Sequence, residues 1–272
     1  MATSDTEQNK LEQLRQSIDA CDRQLAALFE ERMQLVLGVA DYKLENGLAI
    51  FDSAREKQIL QAAAEKYGSQ FPREMQQFFR SMMRVSRALQ ARKLFPYNIV
   101  LIGFMGTGKS TVGQILADHL GRRFVDLDAQ LEREQRTTIA EIFRSQGENV
   151  FRQLEQEMIA KYSGEGERVL SCGGGAVLRK DNVDLLRSSG CLVLLEADPD
   201  TIYKRVRRSQ ERPLLNGDMT PRAIGERLAE RAEAYSKAAD IRIWTEGKAP
   251  ADVADEIVRQ LCEKAALDDD FR

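Results

Sequence analysis

Residues 103–111 read Gly-Phe-Met-Gly-Thr-Gly-Lys-Ser-Thr, and what flanks them decides the fold of this part of the chain. The apolar run 99–102 ahead of them suits a buried strand, and residues 111–120 behind them have the spacing of an amphipathic helix. In that strand–loop–helix setting the G-x-x-x-x-G-K-[ST] pattern predicts a phosphate cradle for a nucleoside triphosphate. Gly103 and Gly108 let backbone N–H groups turn onto phosphate oxygens, and the helix start adds the positive end of its dipole. Gly106, Thr107 and Thr111 complete the nucleotide-contacting stretch. Lys109 is expected on the β- and γ-phosphates and Ser110 on Mg²⁺.

From residue 98 onward strands alternate with helices; beyond 99–102 the strand candidates are 124–127, 169–172, 192–196 and 241–244. Such alternation predicts an α/β fold, a five-stranded parallel sheet covered by helices on both faces. Open sheets of this kind bind ligands at the carboxyl ends of their strands. Asp126 and Asp128 end the second strand at spacing two, which puts both on one side of it, one for Mg²⁺ and one for an acceptor hydroxyl. Arg152 and Glu155 share a helical face, as a ligand clamp or a surface pair. Gly173, Gly174 and Gly175 follow the third strand, where they allow close approach to a small ligand or only a tight turn. The polar segment 207–220, with Arg212-Pro213, reads as a lid or a solvated loop, and Arg231 opens Arg-Ala-Glu-Ala-Tyr235. An acceptor carrying a carboxylate calls for such arginines, because guanidinium meets carboxylate bidentately.

Taken in order, GxxGxGKST, D-x-D, F-R-x-x-E, G-G-G, R-P-L-L and R-x-x-x-Y resemble the motifs of shikimate kinase over nearly all of 98–262. The resemblance implies a nucleoside-monophosphate-kinase-like fold and ATP- and Mg²⁺-dependent phosphorylation of the shikimate 3-hydroxyl. By it, Asp128 holds and helps deprotonate the reacting hydroxyl, Arg152 and Arg231 clamp the carboxylate, and Gly173, Gly174 and Gly175 line the ring. It also implies Arg212 on the transferring phosphoryl group and Asp126 with Ser110 on Mg²⁺. Arg208 is the adenine-stacking candidate, with Arg205 or Arg207 as substitutes.

The first 95 residues carry helical periodicity only. Leu11, Leu14, Ile18, Cys21, Leu25, Leu28, Leu35 and Val39 form a stripe that predicts one long helix ending near Asn46-Gly47. A second helix is expected after the cap candidate Asp52, stopping near Tyr67. A third has Pro72 in its first turn and a stripe of Met75, Phe78, Phe79, Met82, Val85 and Leu89. It runs almost directly into the first strand, dividing the chain into domains 1–95 and 96–272. Arg32 interrupts the stripe between Leu28 and Leu35, Lys43 lies on the same face three turns later, and Ser86 and Gln90 stand at spacing four on the third helix. A buried Arg and Lys need anions. Glu56 or a dianionic ligand could supply them, as could an internal salt-bridge network. Arg15 and Arg32 are seventeen residues apart on one helix, about 25 Å at ~1.5 Å per residue. Both can grip one small molecule only if Arg15 arrives from a second chain, and three helices hold too little core to stand alone.

This half resembles the all-helical class of chorismate mutase, an intertwined homodimer, over about 10–93. The matching segments include Leu14-Arg15, Glu31-Arg32, Tyr42-Lys43, Asp52-x-x-Arg55-Glu56 and Ser86-Arg87-Ala88-Leu89-Gln90. The resemblance implies that Arg32 and the partner's Arg15 bind the two carboxylates of chorismate. It implies that Lys43 and Gln90 donate to the ether oxygen and Glu56 holds the ring hydroxyl, with Asp52, Arg55 and Ser86 in support and no cofactor. The reading is therefore bifunctional, with one alternative of another class: a dimerisation or regulatory module that senses chorismate or prephenate.

Composition narrows the remaining choices. With 43% hydrophobic residues in 272 the chain can build two modest cores. A net charge of −3 gives no electrostatic case for nucleic acid or an anionic membrane. No apolar run approaches a membrane span, the opening residues lack an export pattern, and four scattered cysteines read as free thiols, so a cytoplasmic location is expected. His119, the single histidine, is expected to be a surface or packing residue.

Overall fold

Asn98-Ile-Val-Leu-Ile is buried at every position and forms β1 (Asn98–Ile102). Its side chains alternate in destination: Ile99 and Leu101 enter one apolar core, Val100 and Ile102 the other. A strand buried on both faces needs helices on both. The structure is a computed structural model that describes residues 2–46, 48, 51–67, 70–164, 166–208 and 220–267. Three helices precede β1: α1 (Ala2–Glu45), α2 (Ser53–Ala62), which continues as a wide π turn to Tyr67, and α3 (Pro72–Leu94). After it come α4 (Lys109–Leu120), β2 (Arg123–Asp126), α5 (Leu127–Gln135), and α6 (Ile139–Ser163), which is broken at Gly147. Next are β3 (Arg168–Ser171), α7 (Lys180–Ser189), β4 (Gly190–Glu196) and α8 (Pro199–Arg208). The series ends with α9 (Pro221–Ala238), β5 (Ile241–Trp244) and α10 (Pro250–Leu267).

All five strands pair in parallel, in the order β2-β3-β1-β4-β5. The phosphate-loop strand is therefore central. Helices α4 and α10 cover one face; α5, α6 and α7 cover the other. The fifth strand has the expected bounds, the other four appear with ends shifted by a residue or two, and the loop helix starts at Lys109, two residues earlier than its apolar pattern suggested.

In the helical half, Asp52 caps α2 as expected, its side chain accepting from Arg55 N at 2.9 Å. The long stripe of α1 does not face the chain's own core. Leu28 and Leu35 are 63% and 66% exposed, and Leu11, Leu14, Ile18, Leu25 and Val39 are also open. The inward face is offset by one residue: Arg32, Met33, Val36, Leu37, Ala40 and Lys43 are buried or half-buried. Thus α1 has two apolar seams, one on α3 and one uncovered.

The two halves share a core. Ala91, Leu94 and Phe95, at the end of α3, lie in the same apolar cluster as Ile99, Leu116, Leu120 and Ile257. Arg122, just past α4, is buried; it donates from Nη1 to Tyr97 O at 2.7 Å and from Nη2 to Ala91 O at 2.9 Å and to Phe95 O. It ties off the carbonyl end of α3, and burial pushes its pKa down to about 10. Replacing Arg122 by Met leaves these carbonyls unpaired. We expect a loss of about 2–4 kcal/mol in urea unfolding of the full chain. A loss under about 0.5 kcal/mol, the scale of an ordinary surface change, contradicts this role.

Candidate active site

The carboxyl ends of β1, β2 and β3 meet at the phosphate loop. Gly108, at φ +100°, and Gly103, at φ +135°, take a left-handed backbone that side-chain-bearing residues rarely adopt, and α4 starts at once on Lys109. Lys109 is buried and folds back over the loop, Nζ donating to Gly103 O at 2.8 Å and Phe104 O at 2.9 Å. Thr107 Oγ1 donates to Phe104 O at 2.8 Å, and Thr111 lies in the first turn of α4. A cavity of about 510 Å³ opens here, walled by Gly106, Lys109, Ser110, Asp126 and Asp128.

Ser110 Oγ donates to Asp126 Oδ2 at 2.6 Å, bringing the two Mg²⁺ candidates together. Asp126 also caps α5, Oδ1 accepting from Ala129 N at 3.2 Å. The expectation that Asp126 and Asp128 share one side of a strand is corrected: β2 stops at Asp126, and Asp128 lies in the first turn of α5. The helical turn aims Asp128 at the triple glycine, where a Cβ on Gly173 would meet Asp128 Oδ1 at 2.7 Å.

Two arginines flank the same turn. A Cβ on Gly175 would lie 2.5 Å from Arg152 Nη1, so a side chain there would displace that guanidinium from its present place. From α9, Arg231 Nη1 donates to Gly174 O at 3.4 Å with its Cζ 5.4 Å from the Phe104 ring centroid, and Tyr235 OH donates to the same carbonyl at 2.5 Å. Burial pushes the Tyr235 pKa up to about 12, so the phenol keeps its proton. Arg152 pairs with Glu155 at 2.9 Å and Glu148 at 3.1 Å. The two partners respond differently because they are buried differently, their side chains 19% and 6% exposed. Burial outweighs Arg152 and raises the Glu155 pKa; for Arg152 burial is opposed and outweighed by the two carboxylates, which raise its pKa. A second cavity, of about 480 Å³, lies beside Arg152, Glu148 and Arg179.

Arg212 and most of segment 207–220 lie outside the described residues, as does the Arg208 side chain at the end of α8. Arg207 is exposed. Arg205 is tied to the loop, donating to Thr107 O at 3.3 Å, Gly106 O at 3.4 Å and Thr245 Oγ1 at 3.0 Å. Sequence reading missed this clamp, and it missed Thr245, Lys248 and Pro250, which line the first cavity from the β5–α10 loop. Contacts made to backbone carbonyls leave no motif.

In the helical half, Arg32 Nη1 donates to Ser86 Oγ at 2.5 Å, and Ser86 Oγ donates to Met82 O at 2.8 Å. Burial lowers the Arg32 pKa, and no acid among the described residues pairs with it. Burial likewise lowers Lys43, against the pull of Asp52, Cys262 and Glu56. Gln90 is buried; Nε2 donates to Ser86 O at 3.4 Å and Oε1 has no partner among the described residues. Glu56 does not pair with Arg32 as its spacing allowed: it accepts from Arg87 Nη1, a residue the sequence did not single out for the site. Arg55 is exposed, and Arg15 is exposed beside Glu12 at 3.8 Å.

Residues 105–262 match the family model described as shikimate kinase, and residues 14–91 the one described as chorismate mutase type II. A shikimate kinase from Persephonella marina is 42% identical over 164 residues, 60% of this chain and 98% of that protein. One from Geobacter sulfurreducens is 48% identical over 160 residues, 59% of this chain and 88% of that protein. The structure of shikimate kinase from Acinetobacter baumannii in complex with shikimate superposes with a TM-score of 0.61 at 33% identity, covering 64% of this chain and 97% of that one.

The Arg152–Glu155 pair carries a pH-dependent prediction. Without Arg152, Glu155 stays buried without its strongest cation, and its pKa rises further in the folded state only. A folded-state pKa above the unfolded one means stability falls as pH climbs through that window. Arg152→Met is therefore expected to cost about 2 kcal/mol at pH 7, below the figure for a fully buried pair because one face of Arg152 is open. The cost should shrink at pH 5. Denaturant unfolding at both pH values checks this; an equal or larger cost at pH 5 contradicts it.

Proposed function

Since the chain belongs to the shikimate kinase family, matched over residues 105–262, and its residues 14–91 match chorismate mutase type II, we propose a bifunctional enzyme of aromatic amino-acid biosynthesis. One site phosphorylates the 3-hydroxyl of shikimate with ATP; the other rearranges chorismate to prephenate. The observation that carries the kinase assignment is the convergence of the phosphate loop, Asp128, Arg152 and Arg231 around one triple-glycine turn.

The ATP phosphates take the inward N–H groups of the loop, and Lys109 Nζ leaves its two loop carbonyls for the β- and γ-oxygens. Ser110 Oγ and Asp126 Oδ2 are hard oxygens of the type that holds Mg²⁺ beside phosphates, so the pair fits the ion. Mg²⁺, when bound, neutralises phosphate charge. Asp128 orients the shikimate hydroxyl and accepts its proton, while Arg152 and Arg231 hold the carboxylate from either side of Gly174. Arg212 adds charge at the transferring phosphoryl group and Arg208 packs on adenine, both by likeness to the family.

In the mutase half, Arg32, Lys43 and Gln90 present donors from α1 and α3. The rearrangement is pericyclic, so the site works by holding a compact conformer and stabilising charge at the ether oxygen, with no cofactor. The uncovered seam of α1 is the dimer contact, since an apolar stripe of that length does not stay in water. Pairing along it brings the partner's Arg15 to Arg32. The enzyme works as a cytoplasmic homodimer on small molecules, without nucleic acid or membrane. A second reading, in which the helical half senses chorismate or prephenate for the kinase, is favoured by the burial of the end of α3 in the kinase core.

A paired assay on the purified protein tests the assignment: shikimate-dependent ADP release and loss of chorismate absorbance. In Leu28→Glu the protein should sediment as a monomer and lose mutase activity about 100-fold while kinase kinetics persist. Loss of neither property contradicts the dimer. Kinase kinetics that respond to added prephenate, with chorismate unconverted, select the second reading.

The pH profile gives an independent check. Gln90 is neutral, so mutase kcat/KM should be flat from about pH 5 to 8, the range in which only histidine-like groups titrate. It should then fall below the ordinary lysine value as Lys43, lowered by burial, loses its proton. A collapse between pH 5 and 8, or no alkaline limb, counts against these roles.

A further inference from the structure

His119 is the sole histidine of the chain, and neither reaction above gives it a part. It sits in the last turn of α4. Its ring stacks on Phe51, centroids 4.1 Å apart and planes 17° from parallel. Phe51 directly precedes Asp52, the cap of α2, so the stack pins the start of α2 to the kinase half.

Over the same Phe51 ring lies Arg87 of α3, its Cζ 5.5 Å from the centroid. Arg87 Nη1 donates to Glu56 Oε1, and both side chains are largely buried. Arg87 Nε is buried with no partner among the described residues, and the guanidinium is oriented by the Glu56 carboxylate and the Phe51 ring. On the other side, His119 Nδ1 lies 3.2 Å from Asp255 Oδ1 of α10, close but not aligned as a hydrogen bond. Phe51 and Asp255 touch the imidazole, and the charges of Arg87, Asp118 and Glu56 also act on it. Three contacts in series thus run from His119 on α4 through Phe51 and Arg87 to the Glu56 carboxylate.

We propose that His119 is a positioning residue of the mutase site, fixing the Glu56 carboxylate through Phe51 and Arg87. A glutamate has three rotatable bonds, and one held in place before chorismate arrives loses less freedom on binding. The stack does for Glu56 what a rigid scaffold does for a site on a loop. This rests on the mutase reading above, in which Glu56 meets the ring hydroxyl.

The test is steady-state kinetics of both activities in the full chain for wild type, His119→Ala, His119→Phe and Arg87→Lys. His119→Ala should raise the KM for chorismate about three- to tenfold, the span of one lost ring contact. Its kcat should change far less. His119→Phe keeps a flat ring and should stay near wild type. Arg87→Lys keeps the charge without the stacking plane and should show the same KM defect as His119→Ala. Kinase kinetics of both His119 variants should match wild type, and the unfolding temperature of His119→Ala should fall by no more than about 5 °C, the scale of one lost ring contact. A His119→Ala protein with wild-type KM overturns the proposal and leaves the mutase assignment standing. Equal impairment of His119→Ala and His119→Phe, or early unfolding with loss of both activities, also overturns it, because the residue is then only structural. A wild-type protein inert toward chorismate removes the mutase reading and this proposal together.

Discussion

The last turn of α3 is buried in the core of the parallel sheet, and everything distinctive about this chain depends on that. Phe95 and Ala91 have no exposed surface, and only Pro96 and Tyr97 separate Phe95 from β1. A helix that ends inside another domain's core cannot move as a tethered appendage. Arg122 reinforces the constraint by spending its guanidinium on three carbonyls of that junction. The same helix carries Ser86 and Gln90 a turn or two earlier, so one rigid rod has its ends in two chemistries.

Those chemistries differ in how charge is balanced before a ligand arrives. Around the triple glycine the protein supplies its own counter-ions: Arg152 is held by Glu155 and Glu148. A carboxylate ligand there enters an existing network and competes within it, which favours geometry over raw attraction. In the helical half Arg32 is partly desolvated and donates to the Ser86 hydroxyl, with no acid paired to it among the described residues. A half-buried cation with no acid beside it gains from an anion, which is what the proposed dianionic ligand supplies. The uncovered seam of α1 is incomplete in the same sense, with apolar surface in place of charge.

How much of this was legible in the sequence varies by element for identifiable reasons. β1 and the phosphate loop could be read because apolar run, glycines and lysine are local signals. Strand ends drifted by a residue or two, and at β2 that drift mattered: Asp128 is a helical residue, and its aim at Gly173 follows from the helical turn that strand spacing cannot give. The α1 stripe was seen, but two seams one residue apart have nearly the same period, and sequence does not say which one the chain covers itself. Arg205 was read only as an alternative for adenine and Arg87 only as part of a matched segment, because their partners are backbone carbonyls and an acid thirty-one residues away, neither of which leaves a pattern. Arg152, Arg231 and the glycines stood out because several such residues follow one another in order, and the fold brings them to one turn.

Native-state hydrogen exchange resolved by residue most directly tests the shared core. If α3 and the sheet form one unit, the amides of Ala91, Leu94 and Phe95 exchange only with global opening, at the same free energy as Val100 and Leu101 of β1. Should those three exchange with the exposed part of α1 while β1 stays protected, the two halves are separate bodies joined by a linker, and the account built on their junction is wrong.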